Sequence, residues 1–319
     1  MEKIIIYLGS KCNMNCSYCH REFSDTEVGI SDKLLEFLKD KICTIIFKGG
    51  EPTLYMDDIK KVVSAANKAD FEISTNGMLL EKYIEYFRKY QFKIFISYDG
   101  DNSKVRGFDP FTKILNYPWI GVSSTLYHGN TDMETILDNF AEKSLIVGRP
   151  LGIYPHLVHY TSLQNKEYAL TDEDYHSILE QFKECIYRYL NDIDKFSTVN
   201  LRYRGVYLSL RKRLENHYVF GETSCANKDT RRIDTTGKIY NCLYIRDTLL
   251  PSDNWIEFQK AIIRSMSPKC EKCTVYDMCG SGCIKYLHHD KECWFYRELY
   301  TWFKDFYFQN KDILERMEC

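Results

Sequence analysis

Long apolar runs, a secretory signal and an excess of charge of either sign are all missing from this chain of 319 residues. No stretch approaches the roughly 18 apolar residues of a membrane-spanning helix, so no membrane contact is expected. The 43 lysine and arginine residues nearly balance the 45 aspartate and glutamate residues, which predicts no nucleic-acid partner. The apolar run at the start is too short for a secretory signal, so we expect a cytoplasmic protein.

Internal repeats and low-complexity linkers are also absent, but cysteine is plentiful, with 13 residues. Three cysteines lie close together near the start of the chain, and seven lie between Cys225 and Cys293. In a reducing compartment cysteines bind metal more often than they form disulfides, and the odd total agrees with that interpretation. The two groups therefore predict two metal-binding regions on either side of a cysteine-poor middle.

The first half of the chain alternates short β-rich runs with amphipathic segments. Strands are expected at residues 4–8, 44–47, 71–74, 93–97, 119–126 and 151–158. This alternation predicts parallel strands with crossover helices, and six units favour an α/β fold with a partial (β/α)6 TIM-like barrel. Chemistry in such barrels lies at the carboxyl ends of the strands. The first four strands end in polar or glycine-rich loops, which are expected to meet on one rim.

Helices are expected between these strands and after them, and Ser31 is expected to cap the first. The remaining predicted helices cover residues 57–68, 79–90, 131–142, 171–191, 198–215 and 294–311. Residues 231–234 and 238–241 flank Thr235-Thr236-Gly237, which is typical of a β-hairpin.

The first cysteine group has the spacing C-x3-C-x2-C, formed by Cys12, Cys16 and Cys19. Such a loop can hold three irons of a [4Fe–4S] cluster and leaves the fourth iron open to a small chelator. Two other sites fit part of the pattern: a haem attachment motif, C-x2-C-H, and a zinc site with His20 as the fourth ligand. Haem attachment needs export and leaves Cys12 unused. Neither alternative predicts the glycine-rich motif after the second strand.

Taken together, these motifs resemble those of the radical S-adenosylmethionine (SAM) superfamily. Tyr18 fills the aromatic position before the last cysteine of the signature, which in that family packs beside the adenine. The segment that holds the amino group of SAM in the family is matched by Gly49, Gly50, Glu51 and Pro52. Ser97 and Asp99 match the Ser-x-Asp-Gly motif near the ribose and carboxylate. The resemblance implies reductive cleavage of SAM to a 5′-deoxyadenosyl radical, which abstracts a hydrogen atom from the substrate.

The second cysteine group resembles the seven-cysteine SPASM extension of this superfamily, and every spacing within it fits. That resemblance implies two auxiliary clusters, and so three [4Fe–4S] clusters in all. Cys225, Cys242 and Cys283 would hold the first auxiliary cluster. The second would be held by Cys270, Cys273, Cys279 and Cys293. We place the barrel at residues 1–215, and the small C-terminal cysteine-rich domain with its closing helix at residues 216–319.

The extension departs from the family in one respect, because no further cysteine precedes Cys225 near Val219. The first auxiliary cluster would then keep an open iron for a substrate group, or take His217 or Glu222 as its last ligand. Full protein ligation through Cys185 or Cys319 is the other alternative. Four thiolates at these spacings also suit zinc, and it is the first cysteine group that favours iron–sulfur chemistry.

Members with this extension mostly modify peptides, which implies an oxidoreductase-type enzyme acting on a ribosomally synthesised precursor peptide. The reaction would crosslink, oxidise or epimerise a residue. Cys12 comes so early that no leader-binding domain is expected before the barrel, so a separate leader-binding protein is a candidate partner. An external one-electron reductant such as flavodoxin or ferredoxin is implied as well.

Enzymes that mature sulfatases place an aspartate base directly after the second cysteine of the extension. Leu243 follows Cys242 here, which argues against that reaction. Two further functions stay open on the sequence alone. One is a radical SAM dehydrogenase of a small metabolite, and the other is a non-catalytic zinc-binding scaffold.

Overall fold

The computed structural model describes residues 1–19, 29–101, 105–112, 117–149, 151–158, 163–192, 198–224, 227–240, 255–282 and 290–318. Its strands are β1 (Lys3–Tyr7), β2 (Thr44–Lys48), β3 (Asp70–Thr75), β4 (Lys93–Ser97), β5 (Ile120–Leu126), β6 (Gly152–Leu157), β7 (Thr230–Asp234) and β8 (Ile239–Tyr240). They form one sheet in the order β6-β5-β4-β3-β2-β1-β7-β8. Neighbouring strands from β6 to β7 run parallel, with Ile4 opposite Ile45 and Ile45 opposite Phe71, for example. The α/β prediction with a partial barrel of six strand–helix units is confirmed.

Helices cover the sheet and connect its strands. They are α1 (Asp32–Leu38), α2 (Met56–Ala65), α3 (Leu80–Lys89), α4 (Met133–Val147), α5 (Asp172–Asn191), α6 (Thr198–Leu214), α7 (Trp255–Met266), α8 (Tyr276–Cys279), α9 (Asp290–Gln309) and α10 (Lys311–Glu318). The Ser31 hydroxyl accepts a hydrogen bond from the Leu34 backbone N–H, which confirms the predicted cap of α1. A capping box between Thr171 and Asp174 begins α5. The chain after residue 293 forms two helices, α9 and α10, where the sequence predicted one.

The barrel core is built from the apolar faces of these elements. Ile4, Ile6, Ile45, Phe47 and Ile73 are fully buried within it. Strands that are buried on both faces have nearly continuous apolar sequences, which is why the first four strands could be located from the sequence. The same core includes Phe295 and Phe303 of α9. The closing helix therefore packs on the barrel itself.

The hairpin predicted at residues 231–241 forms as β7 and β8, which pair antiparallel. β7 pairs in parallel with β1 along its whole length, with Lys3 opposite Thr230 and Tyr7 opposite Asp234. The hairpin thus extends the barrel sheet beyond β1, because β1 has a free hydrogen-bonding edge once β2 covers its other side. The domain bounds at residues 1–215 and 216–319 stay a prediction.

None of the helices in the described parts of the chain is both long enough and apolar enough to cross a membrane.

Candidate functional site

The loop after β1 carries the first cysteine group. The Cys19 backbone N–H donates to the Cys16 carbonyl at 2.9 Å, which folds the second half of the loop into a tight turn. Burial raises the pKa of the Cys16 thiol, and Cys19 and Cys12 raise it further, whereas Arg106 lowers it. The three thiols therefore lie close enough to influence one another. Each of the three cysteines stays partly exposed.

The glycine-rich loop after β2 packs directly against the cysteine loop. The Gly50 backbone N–H donates to the Gly9 carbonyl and that of Glu51 donates to the Lys11 carbonyl, both at 2.8 Å. A Cβ atom on Gly49 would lie 2.7 Å from the Gly9 carbonyl oxygen, and one on Gly50 would overlap the Lys11 carbonyl. The two glycines are thus required by close backbone approach rather than by a turn.

Glu51 joins the loops after β2 and β3. Its side chain is fully buried. Oε1 accepts from the Thr53 backbone N–H at 3.0 Å, the Thr53 hydroxyl at 2.6 Å and the Thr75 hydroxyl at 2.7 Å. Oε2 accepts from the Asn76 backbone N–H at 2.7 Å. A buried carboxylate is tolerated when several donors satisfy it, and here those donors come from two different loops. Pro52 is buried and begins the short 3-10 turn Pro52–Tyr55.

Asn76 connects the loop after β3 to the cysteine loop. Its side-chain amide donates to the Asn13 side-chain oxygen at 2.8 Å and approaches the Cys12 sulfur at 3.8 Å. The sequence marked Thr75-Asn76-Gly77 as a strand-end loop without assigning a role to Asn76. The Asn76 side-chain amide therefore lies as a hydrogen-bond donor beside the Cys12 thiol.

Asp99, Arg106 and Tyr18 form a buried triad at the end of β4. Arg106 Nε donates to Asp99 Oδ2 at 2.6 Å, and the Tyr18 hydroxyl contacts both Asp99 and Arg106. The backbone N–H of Thr125 donates to Asp99 Oδ1 at 2.9 Å. Burial and then Asp99 raise the pKa of Tyr18 well above its ordinary value. Burial alone lowers the pKa of Arg106, but the adjacent Asp99 reverses that effect and raises it.

Aromatic rings line the same rim. The Tyr18 ring lies 4.9 Å from that of Tyr127 and 6.3 Å from that of Tyr168, measured between centroids. Ser97 is the last residue of β4 and is half-buried opposite Ser123 of β5. The four strand-end loops predicted to converge therefore do so. Every residue proposed to contact SAM lies in or beside them.

The second cysteine group is described in part. Cys270 lies in the short 3-10 helix Pro268–Lys272, Cys279 ends α8 and Cys293 lies in the first turn of α9. The backbone N–H of Cys273 donates to the Cys270 carbonyl at 3.2 Å. Burial raises the pKa of Cys279 to about 12, with further contributions from Cys270, Cys293 and Cys273. The influence of the other three cysteines on Cys279 indicates that all four lie near one another.

The two candidate non-cysteine ligands have different surroundings. Glu222 is buried, and its carboxylate accepts from the backbone N–H groups of Val219 at 3.1 Å and Lys228 at 2.9 Å. His217 is exposed, with a left-handed backbone at φ 49°. Cys185 is buried in the barrel core. The other residues named for this region or its alternatives lie outside the described residues: His20, Cys225, Cys242, Leu243, Cys283 and Cys319.

Within the described ranges, no group of three or more histidine, cysteine, aspartate or glutamate side chains is arranged to hold a single metal ion. Sequence reasoning missed Arg106, Thr53 and the role of Asn76. Arg106 follows Asp99 by seven positions, and nothing in that spacing separates it from a surface arginine.

Comparison with known proteins agrees with this geometry. Residues 6–119 match the model of the radical SAM superfamily. A cysteine-type anaerobic sulfatase-maturating enzyme of Clostridium perfringens is 23% identical, and the match covers 86% of each chain. A probable GTP 3′,8-cyclase of Methanosarcina acetivorans is 24% identical over 77% of this chain and 78% of its own.

Two solved structures share the fold. Native anSMEcpe with bound AdoMet and the Kp18Cys peptide matches with a TM-score of 0.68 and 18% identity, covering 99% of each chain. SuiB of Streptococcus suis, bound to its precursor peptide SuiA, matches with a TM-score of 0.55 and 18% identity. That match covers 91% of this chain and 75% of SuiB. At these identities the likeness establishes the fold.

Proposed function

We propose that this chain, whose residues 6–119 match the model of the radical SAM superfamily, modifies a ribosomally synthesised peptide. Cys12, Cys16 and Cys19 would hold a [4Fe–4S] cluster, and SAM would bind at the rim formed by the strand-end loops. The substrate would lose a hydrogen atom there, leading to a crosslink, an oxidation or an epimerised residue.

The observation that carries this proposal is the network that ties the four loops together. Glu51 links the second loop to the third, Asn76 links the third to the cysteine loop, and Tyr18 links the cysteine loop to Asp99 on the fourth. A site built from buried hydrogen bonds between loops keeps its groups in position. Such order suits a reaction whose intermediate attacks any nearby C–H bond.

The donor set fits an iron–sulfur cluster. Soft thiolates select such clusters, and three thiols of one loop leave an iron open for the amino and carboxylate groups of SAM. When bound and reduced, the cluster supplies the electron that cleaves SAM to methionine and a 5′-deoxyadenosyl radical. The protein contributes by binding, by orienting the reactants and by excluding water.

The SAM contacts follow from the rim. Among the described residues, Glu51 Oε2 accepts one hydrogen bond, from the Asn76 backbone N–H, and a carboxylate oxygen has lone-pair capacity for a second donor, which would be the ammonium group of SAM. Tyr18 would pack beside the adenine. Ser97 would lie near the ribose and carboxylate, and the carboxylate of Asp99 would act there by holding Arg106 and Tyr18 in place. Gly49, Gly50 and Pro52 would set the path of the loop.

Two auxiliary clusters complete the proposal. The proximity of Cys270, Cys273, Cys279 and Cys293 supports a four-thiolate site for one of them. Cys225, Cys242 and Cys283 would hold the other. Of the two candidate non-cysteine ligands for its fourth iron, we favour Glu222, which is buried, over His217, which is exposed.

A peptide substrate is supported by two relatives. One is named as an enzyme that matures a sulfatase, and SuiB was solved with its precursor peptide. The likeness does not extend to sulfatase maturation itself, because Leu243 stands where the aspartate base is expected. An external reductant and a separate leader-binding protein remain part of the proposal.

The test uses the reconstituted chain with SAM, a chemical reductant and each short peptide that is found encoded beside its gene. The peptide is prepared with deuterium on its Cα and side-chain carbons. We expect deuterium to appear in 5′-deoxyadenosine and the peptide to change. A crosslink or dehydrogenation would remove two hydrogen or deuterium atoms from the peptide, whereas an epimerisation would exchange one Cα deuterium for hydrogen.

Cys43→Ala is the matched control, because Cys43 is fully buried in the core and belongs to neither cysteine group. It should transfer deuterium as the wild type does. Formation of 5′-deoxyadenosine without deuterium transfer from any encoded peptide would contradict the peptide proposal and favour a small metabolite.

A further inference from the structure

Arg106 contacts three groups at once. Its Nε donates to Asp99 Oδ2 at 2.6 Å, its Nη2 contacts the Tyr18 hydroxyl and its Nη1 lies 3.9 Å from the Cys16 sulfur. The side chain is only 10% exposed. A guanidinium has five donors in a rigid plane, so fixing one edge on a carboxylate also fixes where the other edge points. Here that other edge points at a thiol of the first cysteine group.

A cation beside a cluster ligand has a defined electrostatic effect. Hydrogen bonds to the sulfurs and the local charge are among the factors that set the reduction potential of an iron–sulfur cluster. Reduction adds negative charge, which spreads over the thiolate sulfurs. A nearby cation stabilises the reduced form more than the oxidised form and so raises the potential. Asp99 has the opposite effect, and Arg106 compensates for it.

We propose that Arg106 is a positioning residue that sets the reduction potential of the cluster on Cys12, Cys16 and Cys19 through its contact with the Cys16 sulfur. This inference rests on the proposed function, since it requires that cluster. It assigns to Arg106 a role that is separate from binding the substrate. The guanidinium keeps the cluster reducible while the negative charge of Asp99 remains beside it.

The measurement is a redox titration of the reconstituted chain without SAM, followed by electron paramagnetic resonance. The signal of the first cluster is identified as the one lost when Cys12, Cys16 and Cys19 are all changed to alanine. Arg106→Gln should lower the ratio of reduced to oxidised cluster at a fixed potential about tenfold, which corresponds to ~59 mV for a one-electron couple.

Three variants separate charge from packing. Arg106→Lys keeps the positive charge, so it should restore most of the potential. Tyr18→Phe removes the phenol that contacts both Asp99 and Arg106 but leaves the guanidinium, so its potential should stay at the wild-type value. Arg264→Gln removes an exposed arginine that pairs with Glu271, and it should leave the reduction potential of the first cluster unchanged.

A wild-type potential in Arg106→Gln with its cluster intact would overturn the inference, as would an equal shift in Tyr18→Phe. If Arg106→Gln takes up no cluster, Arg106→Lys decides: retention of the wild-type potential supports the inference, and a shift of tenfold or more refutes it. A wild-type chain that binds no iron–sulfur cluster would overturn the proposed function as well. A chain that cleaves SAM but shows no Arg106 effect loses this inference alone.

Discussion

Replacing Glu51 with glutamine is a sharp test of the site's architecture, because it changes one atom in a buried network. The glutamine oxygen can keep the three donors now on Oε1, which come from Thr53 and Thr75. Its amide group then faces the Asn76 backbone N–H, which is itself a donor. Leaving a buried donor unsatisfied costs roughly 1–3 kcal/mol. Lost charge-assisted bonding adds to that cost, so we expect Glu51→Gln to lower the free energy of unfolding by about 2–4 kcal/mol.

The assay is urea unfolding of the cluster-free chain, in which a change of midpoint at constant slope reports stability. Glu36→Gln is the matched control, because Glu36 is exposed in an i,i+3 pair with Lys39 on the short helix α1. Its effect should stay within about 0.5 kcal/mol. An unfolding curve of Glu51→Gln that overlays the wild type would refute the reasoning that Glu51 holds the second and third loops together.

Three further predictions concern the close glycine approach, the second cysteine group and the first helix. Gly50→Ala should destabilise the chain by about 1–3 kcal/mol in urea unfolding and impair cluster uptake, because the added Cβ would overlap the Lys11 carbonyl. Gly29→Ala should be tolerated, because the nearest atom to its added Cβ would lie at 3.7 Å. Cys270→Ala should lower the iron content by about four atoms per chain and leave SAM cleavage without a peptide product. Cys43→Ala should keep the wild-type iron content and the peptide product, and unchanged iron in Cys270→Ala would contradict the assignment of Cys270. Ser31→Ala should cost about 0.5–2 kcal/mol in unfolding free energy, because the Leu34 N–H loses its acceptor, and a change below that range would show that the cap is not used.

The elements that sequence could locate are those with a strong local pattern. Strands such as Thr44–Lys48 are continuous apolar runs, and Ser31 is followed by a regular apolar spacing. The cysteine loop was found because its spacing suits an iron–sulfur cluster, and the Gly-Gly-Glu-Pro segment because it resembles that of the radical SAM superfamily. Their meeting on one rim followed from the rule that parallel strands end on the same side.

Other features depend on contacts between distant segments, and sequence alone did not give them. The hairpin that contains β7 was predicted from its local pattern, but the pairing of β7 with β1 is decided by which sheet edge remains open. Nothing in the sequence distinguishes Arg106 from a surface arginine, and its contacts with Asp99 and Cys16 are visible only in the folded structure. Likewise, the donors to Glu51 from Thr75 and Asn76 come from positions that no local pattern connects to it.

The most direct test of the central claim is the formation of 5′-deoxyadenosine from SAM by the anaerobically reconstituted and reduced chain, measured by liquid chromatography and mass spectrometry. The wild type should form it, and Cys12→Ala, Cys16→Ala and Cys19→Ala should not, while Cys43→Ala should form it normally. The same samples should hold about twelve iron atoms per wild-type chain. Zinc without sulfide in the wild type, or normal cleavage by the three loop variants, would contradict the account.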